Sequence, residues 1–296
     1  MKIIILGASG MIGSTLFSYL RESHEVMGTL RLNKESYDKF EKLNLDNIIY
    51  DLDVRDTDRI HDLIVTQKPD VLINATGIVK QVVDQSSKSK LIEINALIPH
   101  KLHELCLKHQ VRHIQFSTDC VFSGLKGNYG ESDIPDPQDL YGLSKYTGEI
   151  HDQGTLTLRT STIGLEVGTS HGLIEWFLSE RGEIQGYSKA IYTGITTIEL
   201  AKFVEEIISR FDDISGLWQV SGERISKYEL LSMLKEKLNR TDIEILRNEE
   251  YICDRSLSNS KILNATNYQF PSWDKMLDDL SIEIRKRRKL KNDIKK

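Results

Sequence analysis

The opening stretch, Met1-Lys2-Ile3-Ile4-Ile5-Leu6-Gly7-Ala8-Ser9-Gly10-Met11-Ile12-Gly13, decides the fold. An apolar, β-branched run leads into glycines at every third position and then into residues with helical spacing, which reads as strand, tight turn, helix. In such a unit the first glycine permits the turn and the second lets a pyrophosphate approach the backbone. The third lets the helix pack close to the strand, and the phosphates then rest on the helix N-terminus. Gly7, Ser9, Gly10, Met11 and Ile12 are therefore candidate contacts for a dinucleotide. Three glycines in an ordinary loop are the plain alternative, and the strand-turn-helix setting argues against it.

Outward from this unit the pattern repeats. Short apolar runs at 3–6, 25–30, 47–50, 71–74, 113–117 and 156–160 predict strands. Three-and-four spacing of apolar residues at 11–21, 57–66, 91–109 and 140–151 predicts the helices between them. That alternation points to βαβ units and an α/β, Rossmann-type doubly wound parallel sheet. The second half is less regular, with helices at 172–178, 197–211, 227–238 and 273–284 and a strand at 217–220. We assign 1–160 to the nucleotide-binding domain, with 190–222 returning to it. Residues 161–189 and 223–284 form a smaller, mixed α/β substrate-binding region, and 285–296 form a basic tail. Nothing resembles an interdomain linker, so the two parts form one body with a cleft.

With 296 residues, 39% hydrophobic and 28% charged, the composition is that of an ordinary globular protein and excludes collagen-like, coiled-coil and disordered classes. No run approaches the ~20 apolar residues that span a bilayer, and the start lacks the apolar length of a signal peptide, so the expected location is the cytoplasm. The three cysteines, Cys106, Cys120 and Cys253, form no disulfide framework, and no Cys/His spacing suits a metal. The net charge is −5, yet residues 285–296 hold eight Lys/Arg against Asp293 alone, so the body is acidic. An acidic body with one basic end does not suit nucleic acid. The tail is read as a solvated, frayed terminus, with an anionic surface or a partner as the alternative.

Cofactor preference is read at the end of the second strand. A dinucleotide site that takes NAD usually places Asp or Glu there, about 20 residues after the glycines, to bond the ribose 2′-hydroxyl. Here the strand ends Gly28-Thr29-Leu30-Arg31. Leu30 cannot make that bond and Arg31 can pair with a 2′-phosphate, which favours NADPH, with NADH the alternative. Asp51 and Leu52 follow the third strand and are candidates for the adenine amino group and ring. Ala75, Thr76 and Gly77 follow the fourth, at the carboxyl edge where ligands of open α/β sheets bind. Tyr141-Gly142-Leu143-Ser144-Lys145 puts a phenol and an amine one helical turn apart. A phenol with pKa near ~10 serves neutral acid–base chemistry only when its charge state is tuned, which a neighbouring ammonium does. Thr118, after the fifth strand, brings a hydroxyl to the same edge.

These residues resemble the extended short-chain dehydrogenase/reductase family, most closely its dTDP-4-dehydrorhamnose reductase group. The resemblance rests on the glycine motif, Ser117-Thr118-Asp119-Cys120-Val121-Phe122-Ser123-Gly124, Tyr141-Gly142-Leu143-Ser144-Lys145 and Leu158-Arg159-Thr160-Ser161. It implies hydride transfer from NADPH to the C4 ketone of a nucleotide-linked 4-keto-6-deoxyhexose, in the supply of sugars for a bacterial surface polysaccharide. Thr118, Tyr141 and Lys145 are the implied catalytic set, with Tyr141 giving the proton, Thr118 bonding the same oxygen and Lys145 lowering the tyrosine pKa and holding the cofactor. Asn95 is implied as a structural or relay residue beside the cofactor, or as a satisfied helix amide. Val121 and Phe122 are implied substrate contacts. Arg255 is our candidate for the substrate's diphosphate, with an Asp254–Arg255 structural pair as the alternative.

Two departures from the family matter. Cys120 stands where 4,6-dehydratases carry a glutamate that works at C5 and C6, and where rhamnose-forming reductases carry tyrosine. Thr162-Ile163-Gly164 replaces the aromatic pair those reductases carry after Arg-Thr-Ser. A roomier pocket suits a UDP-2-acetamido-2,6-dideoxy-4-hexulose as well as a dTDP-4-dehydrorhamnose-like sugar. The rival readings are a sugar-nucleotide epimerase and a non-catalytic regulatory subunit of the methionine adenosyltransferase β type. A nucleotide-sugar partner, no integral membrane association and a monomer or homodimer complete the expectations.

Overall fold

The computed structural model describes residues 1–37, 46–80 and 87–293. The first six strands are β1 (Lys2–Leu6), β2 (Glu25–Thr29), β3 (Ile48–Ile49), β4 (Val71–Asn74), β5 (Arg112–Thr118) and β6 (Thr155–Thr160). Then come β7 (Thr162–Ile163), β8 (Gly182–Tyr187), β9 (Ala190–Tyr192), β10 (Ile195–Thr196), β11 (Gly216–Gln219), β12 (Ile225–Ser226), β13 (Ile243–Asn248) and β14 (Cys253–Asp254). Seven strands make one parallel sheet in the order β11-β6-β5-β4-β1-β2-β3. Ile3, Ile4, Ile5 and Leu6 are fully buried, as a central strand covered on both faces requires. The strand order reverses between β1 and β4, so the crevice at their carboxyl ends is the binding edge of the sheet.

The helices are α1 (Met11–Leu20), α2 (Thr57–Gln67), α3 (Lys88–Ile92), α4 (Ile98–His109), α5 (Leu140–Thr147), α6 (Leu173–Ser179), α7 (Thr197–Arg210), α8 (Lys227–Lys237), α9 (Ser260–Thr266) and α10 (Trp273–Asp293). The single helix expected over 91–109 is instead α3, a π-turn at Glu93–Leu97 and α4. Pro99 stands in the first turn of α4, where its missing N–H costs no hydrogen bond. The helix expected over 140–151 stops at Thr147. Gly148 follows it and lies against the π-turn so closely that a Cβ would sit 2.0 Å from the Asn95 carbonyl oxygen.

Residues 190–222 divide. β9 pairs with β12 and β14 outside the main sheet, whereas β11 joins that sheet beside β6. Within the same segment α7 lies on α1, with Thr15 Oγ1 3.1 Å from Thr197 Oγ1 and His24 2.8 Å from Glu205. β8 and β13 form a further parallel pair. These short strands carry no period that a sequence reading could detect, since their partners are tens of residues away.

The basic tail is corrected. Residues 285–293 continue α10 rather than fraying, because Met276, Leu277, Leu280 and Ile284 bury one stripe of the helix. Arg287 is nearly buried, with Nη2 2.9 Å from Glu175 Oε2, and Arg285 donates to the Lys237 carbonyl. Lys295 and Lys296 lie outside the described residues. Among the described residues, no helix is long and apolar enough to cross a membrane.

Candidate active site

The glycine loop has the geometry its spacing predicts. Gly7 has φ +81°, and a Cβ there would meet Thr76 Cγ2 at 2.9 Å. A Cβ on Gly13 would come within 2.2 Å of the Gly7 carbonyl oxygen, so only glycine lets α1 pack onto the loop. Gly10 is the exposed N-cap of α1 and no side chain caps it, which leaves the first helical amides free for an anion. Ser9, Met11 and Ile12 flank this open end, half-buried. Across the crevice, Ala75, Thr76 and Gly77 line the end of β4, and the Thr76 hydroxyl donates to Asn74 Oδ1 at 2.6 Å. The uncapped helix and the Cβ-free cradle fit a dinucleotide diphosphate.

The adenine end departs from the expectation. Leu30 is buried, and Arg31 is exposed just beyond β2. Leu52 packs with Ile4, Leu6, Val54 and Ile60, because its N–H continues the ladder to the Leu30 carbonyl and turns its side chain into the core. It therefore presents no open face to an adenine ring. Asp51 has φ +56° and an exposed side chain, and its carbonyl accepts from Arg59. Asp53 is held by Arg55 through bonds of 2.9 and 2.8 Å, which lowers its carboxyl to about 2, and Arg31 adds to that pull. Arg31 thus stands in a small cluster of charges at the rim.

The catalytic candidates converge at the end of β5. Thr118 closes the strand, and its Oγ1 accepts from the Cys120 N–H at 3.2 Å. Asp139 caps α5 by accepting from the Gly142 N–H at 2.8 Å, which aims the first turn, and Tyr141, at that edge. Gly142 sits so close to the next turn that a Cβ would lie 2.3 Å from the Cys120 carbonyl oxygen. Lys145, one turn on, donates to the Phe116 carbonyl at 2.6 Å. Burial lowers its ammonium to about 8, with Glu149 pulling the other way.

Tyr141 corrects one expectation. Its phenol is raised above the ordinary range, by burial first and then by Cys120, Asp119 and Asp139, and a hydrogen bond with Thr118 only partly offsets this. The surroundings thus favour the neutral phenol, which is the form that can give a proton away. Cys120 is pushed by burial up to about 12 and is no nucleophile at neutral pH.

Three implied contacts have other duties. Asn95 is buried in the π-turn. Its Oδ1 accepts from the Ile78 N–H at 2.9 Å, and its Nδ2 donates to the Ile78 carbonyl at 2.9 Å and to Ser144 Oγ at 3.2 Å. The amide ties the loop after β4 to the catalytic helix, with both Nδ2 protons committed to protein acceptors. Val121 and Phe122 are fully buried with Tyr129 and Leu257, and Phe122 stacks on Tyr129 at 4.1 Å. Their side chains anchor the turn after Thr118 instead of facing a substrate.

Residues that the motifs did not single out complete the wall. Glu149 is enclosed and takes two bonds of 2.7 Å from Arg159 and one of 2.6 Å from Ser117 Oγ. Burial pushes its carboxyl up, but Arg159, His151 and Ser117 bring it below the ordinary range. Asp119 is a buried carboxyl beside Thr118, raised by burial against the pull of Arg255. No local spacing signals Glu149, which lies beyond the end of α5 and is reached by Arg159 and Ser117 from two strands.

Arg255 lies near this group. Its Nε donates to the Phe122 carbonyl at 2.9 Å and its Nη1 reaches Cys120 Sγ at 3.6 Å. The structural Asp254–Arg255 pair is not formed: Asp254 is bound by Arg224 and by Ser256 Oγ at 2.6 Å.

The comparisons with known proteins agree with this architecture. The family described as the RmlD substrate binding domain matches residues 1–281. A probable low-salt glycan biosynthesis reductase of Haloferax volcanii is 30% identical over 151 residues, 50% of this chain and 48% of that protein. The chain thus matches about half the length of that relative. A dTDP-4-dehydrorhamnose reductase of Aggregatibacter actinomycetemcomitans is 26% identical over 96% of this chain and 91% of its own. The β subunit of methionine adenosyltransferase 2 from Rattus norvegicus is 28% identical over 50% of this chain and 41% of its own. A hypothetical dTDP-4-dehydrorhamnose reductase from Sulfolobus tokodaii superposes with TM-score 0.74 at 29% identity, covering 93% of this chain and 98% of that one. The fold is also that of a dTDP-4-dehydrorhamnose reductase from Bacillus anthracis solved in complex with NADP, with TM-score 0.77 at 21% identity over 95% of this chain and 99% of that one. The chain belongs to the family of the RmlD substrate binding domain, the dTDP-4-dehydrorhamnose reductase-like members of the extended short-chain dehydrogenases/reductases.

Proposed function

We propose that this protein reduces the C4 ketone of a nucleotide-linked 4-keto-6-deoxyhexose, using NADPH in preference to NADH. One observation carries the reading: Thr118, Tyr141 and Lys145 meet at the end of β5, beside the glycine cradle between β1 and β4. A bound nicotinamide dinucleotide supplies the hydride. Gly7, Ser9, Gly10, Met11 and Ile12 hold its diphosphate, and Ala75, Thr76 and Gly77 flank it at the end of β4. Arg31 sits where a 2′-phosphate needs a cation, and the buried Leu30 leaves no acid for a ribose hydroxyl. Thr118 hydrogen-bonds the substrate carbonyl oxygen, and Tyr141, kept as neutral phenol, gives its proton to that oxygen as charge develops. Lys145 stabilises the resulting phenolate by its charge.

The sugar is a dTDP-4-dehydrorhamnose-like hexulose or an N-acetylated one on UDP, since Cys120 leaves room where a tyrosine would stand. The product serves surface glycan assembly. An epimerase is disfavoured by Leu30, because retention of NAD through the cycle favours an acid at that position. The test is NADPH oxidation with dTDP- and UDP-linked 4-keto-6-deoxy sugars offered side by side, with NADH in parallel. Turnover of one sugar, faster with NADPH, is the expected outcome. NADPH binding with no turnover of any sugar would favour a regulatory subunit.

A further inference from the structure

Arg255 is a cation beside the candidate site that the proposed reduction does not use. Arg255 is half-buried, and among the described residues it makes no ion pair. The acids nearby in sequence or space are committed elsewhere. Asp254 binds Arg224 and Ser256, and Asp139 caps α5 and pairs with Lys80 at 2.6 Å. Asp119, buried beside Thr118, attracts Arg255 electrostatically but forms no salt bridge among the described residues. The Phe122 carbonyl engages Nε alone, and a half-buried guanidinium gains from further acceptors on its remaining N–H groups, since desolvating its charge is unfavourable unless hydrogen bonds replace the lost water.

Its position defines what it can meet. Nε is fixed on the Phe122 carbonyl and Nη1 on the Cys120 thiol, so the fork is aimed along the turn that follows Thr118. Cys120 in turn touches both catalytic elements. Its N–H binds Thr118 Oγ1, and its carbonyl abuts the first turn of α5 at Gly142, next to Tyr141. Only one thiol separates the guanidinium from the reacting edge. Lys80, a nearby cation, is neutralised by Asp139.

We propose that Arg255 recognises an exocyclic carbonyl oxygen carried by the hexose itself, that of an acylamino group or a carboxylate, and not the diphosphate. The planar fork offers paired donors to such an oxygen, and the contact with Cys120 puts it next to the turn that carries Thr118 and abuts Tyr141's helix. This inference rests on the sugar-nucleotide reading above and makes Arg255 the residue that selects among sugars.

The experiment measures dissociation constants by calorimetry for UDP, UDP-glucose, UDP-N-acetylglucosamine and UDP-glucuronate, or the dTDP series if turnover identifies that base. Wild type is compared with Arg255→Gln and Arg255→Lys, each checked for an unchanged unfolding midpoint and NADPH affinity. Arg255→Gln is expected to weaken either the N-acetyl or the uronate ligand about 10- to 100-fold, as loss of a charged donor does. The ligand that weakens identifies the source of the carbonyl. UDP and UDP-glucose should stay within about 3-fold, and Arg255→Lys should recover part of the loss. Equal weakening of all four ligands would assign Arg255 to the diphosphate and overturn the proposal, as would no weakening of any. Failure of wild type to bind any sugar nucleotide would instead remove the sugar-nucleotide reading itself.

Discussion

Two arginines face the same turn after Thr118 from opposite sides, and their surroundings differ. Arg159, on β6, is 1% exposed, is matched by a two-pronged bond to Glu149 and lies over the Phe122 ring at 5.1 Å. Arg255, just beyond β14, is half-buried, bonds a carbonyl and a thiol, and among the described residues forms no ion pair, though Asp119 attracts it. The first is a lock. Glu149 joins Arg159 and Ser117, so the C-terminal end of α5, β6 and the last turn of β5 move as one piece, and those elements carry or adjoin Tyr141, Lys145 and Thr118. The second bonds a carbonyl and a thiol with no carboxylate salt bridge among the described residues. A buried cation with a full carboxylate partner holds structure, because removing that partner leaves an uncompensated charge.

Breaking the lock should produce the largest effect. Glu149→Ala leaves Arg159 as an uncompensated buried charge and should destabilise the protein by about 3–5 kcal/mol. Arg255→Ala, removing a half-exposed cation with no carboxylate, should change stability by under about 1 kcal/mol. Urea denaturation of the two variants side by side checks the contrast, and equal losses would erase it.

Removing the phenolic oxygen acts on chemistry instead. Tyr141→Phe should lower kcat by about 10²- to 10⁴-fold while NADPH affinity stays unchanged, as expected for loss of a proton donor. Single-turnover kinetics with cofactor titration separates the two quantities, and retained turnover would point to another donor.

A smaller effect sharpens the electrostatic side of the comparison. Lys145 is half-buried and desolvation lowers its ammonium to about 8, so it is charged below that pH and neutral above it. Reduction should therefore be level at neutral pH and fall about tenfold per unit above about pH 8. A descending limb near 10.5, the ordinary lysine range, would show that burial does not govern this group in solution.

How far the sequence reaches can be judged residue by residue. Tyr141 and Lys145 were legible because i and i+4 share a helix face whatever the rest of the chain does. The glycine loop was legible because its conformation is local. Leu52, Val121 and Phe122 misled, since a residue beside a motif enters the site or the core according to which strand its backbone pairs with. Asn95 was legible as a position but not as a bond, because Ile78 and Ser144 reach it from separate segments.

The sequence by itself determined the parallel sheet, the glycine cradle and the placing of Tyr141 and Lys145 one helical turn apart, all of which follow from backbone periodicity and the stereochemistry of glycine. Tertiary structure alone decided that Glu149 neutralises Arg159 and that Asp254 turns to Arg224, leaving Arg255 on the Phe122 carbonyl and the Cys120 thiol. Arg255 and Cys120 are 135 positions apart, and no local period encodes a contact over that distance. Electrostatic partners are chosen by three-dimensional proximity and burial, which exist only once the chain has folded.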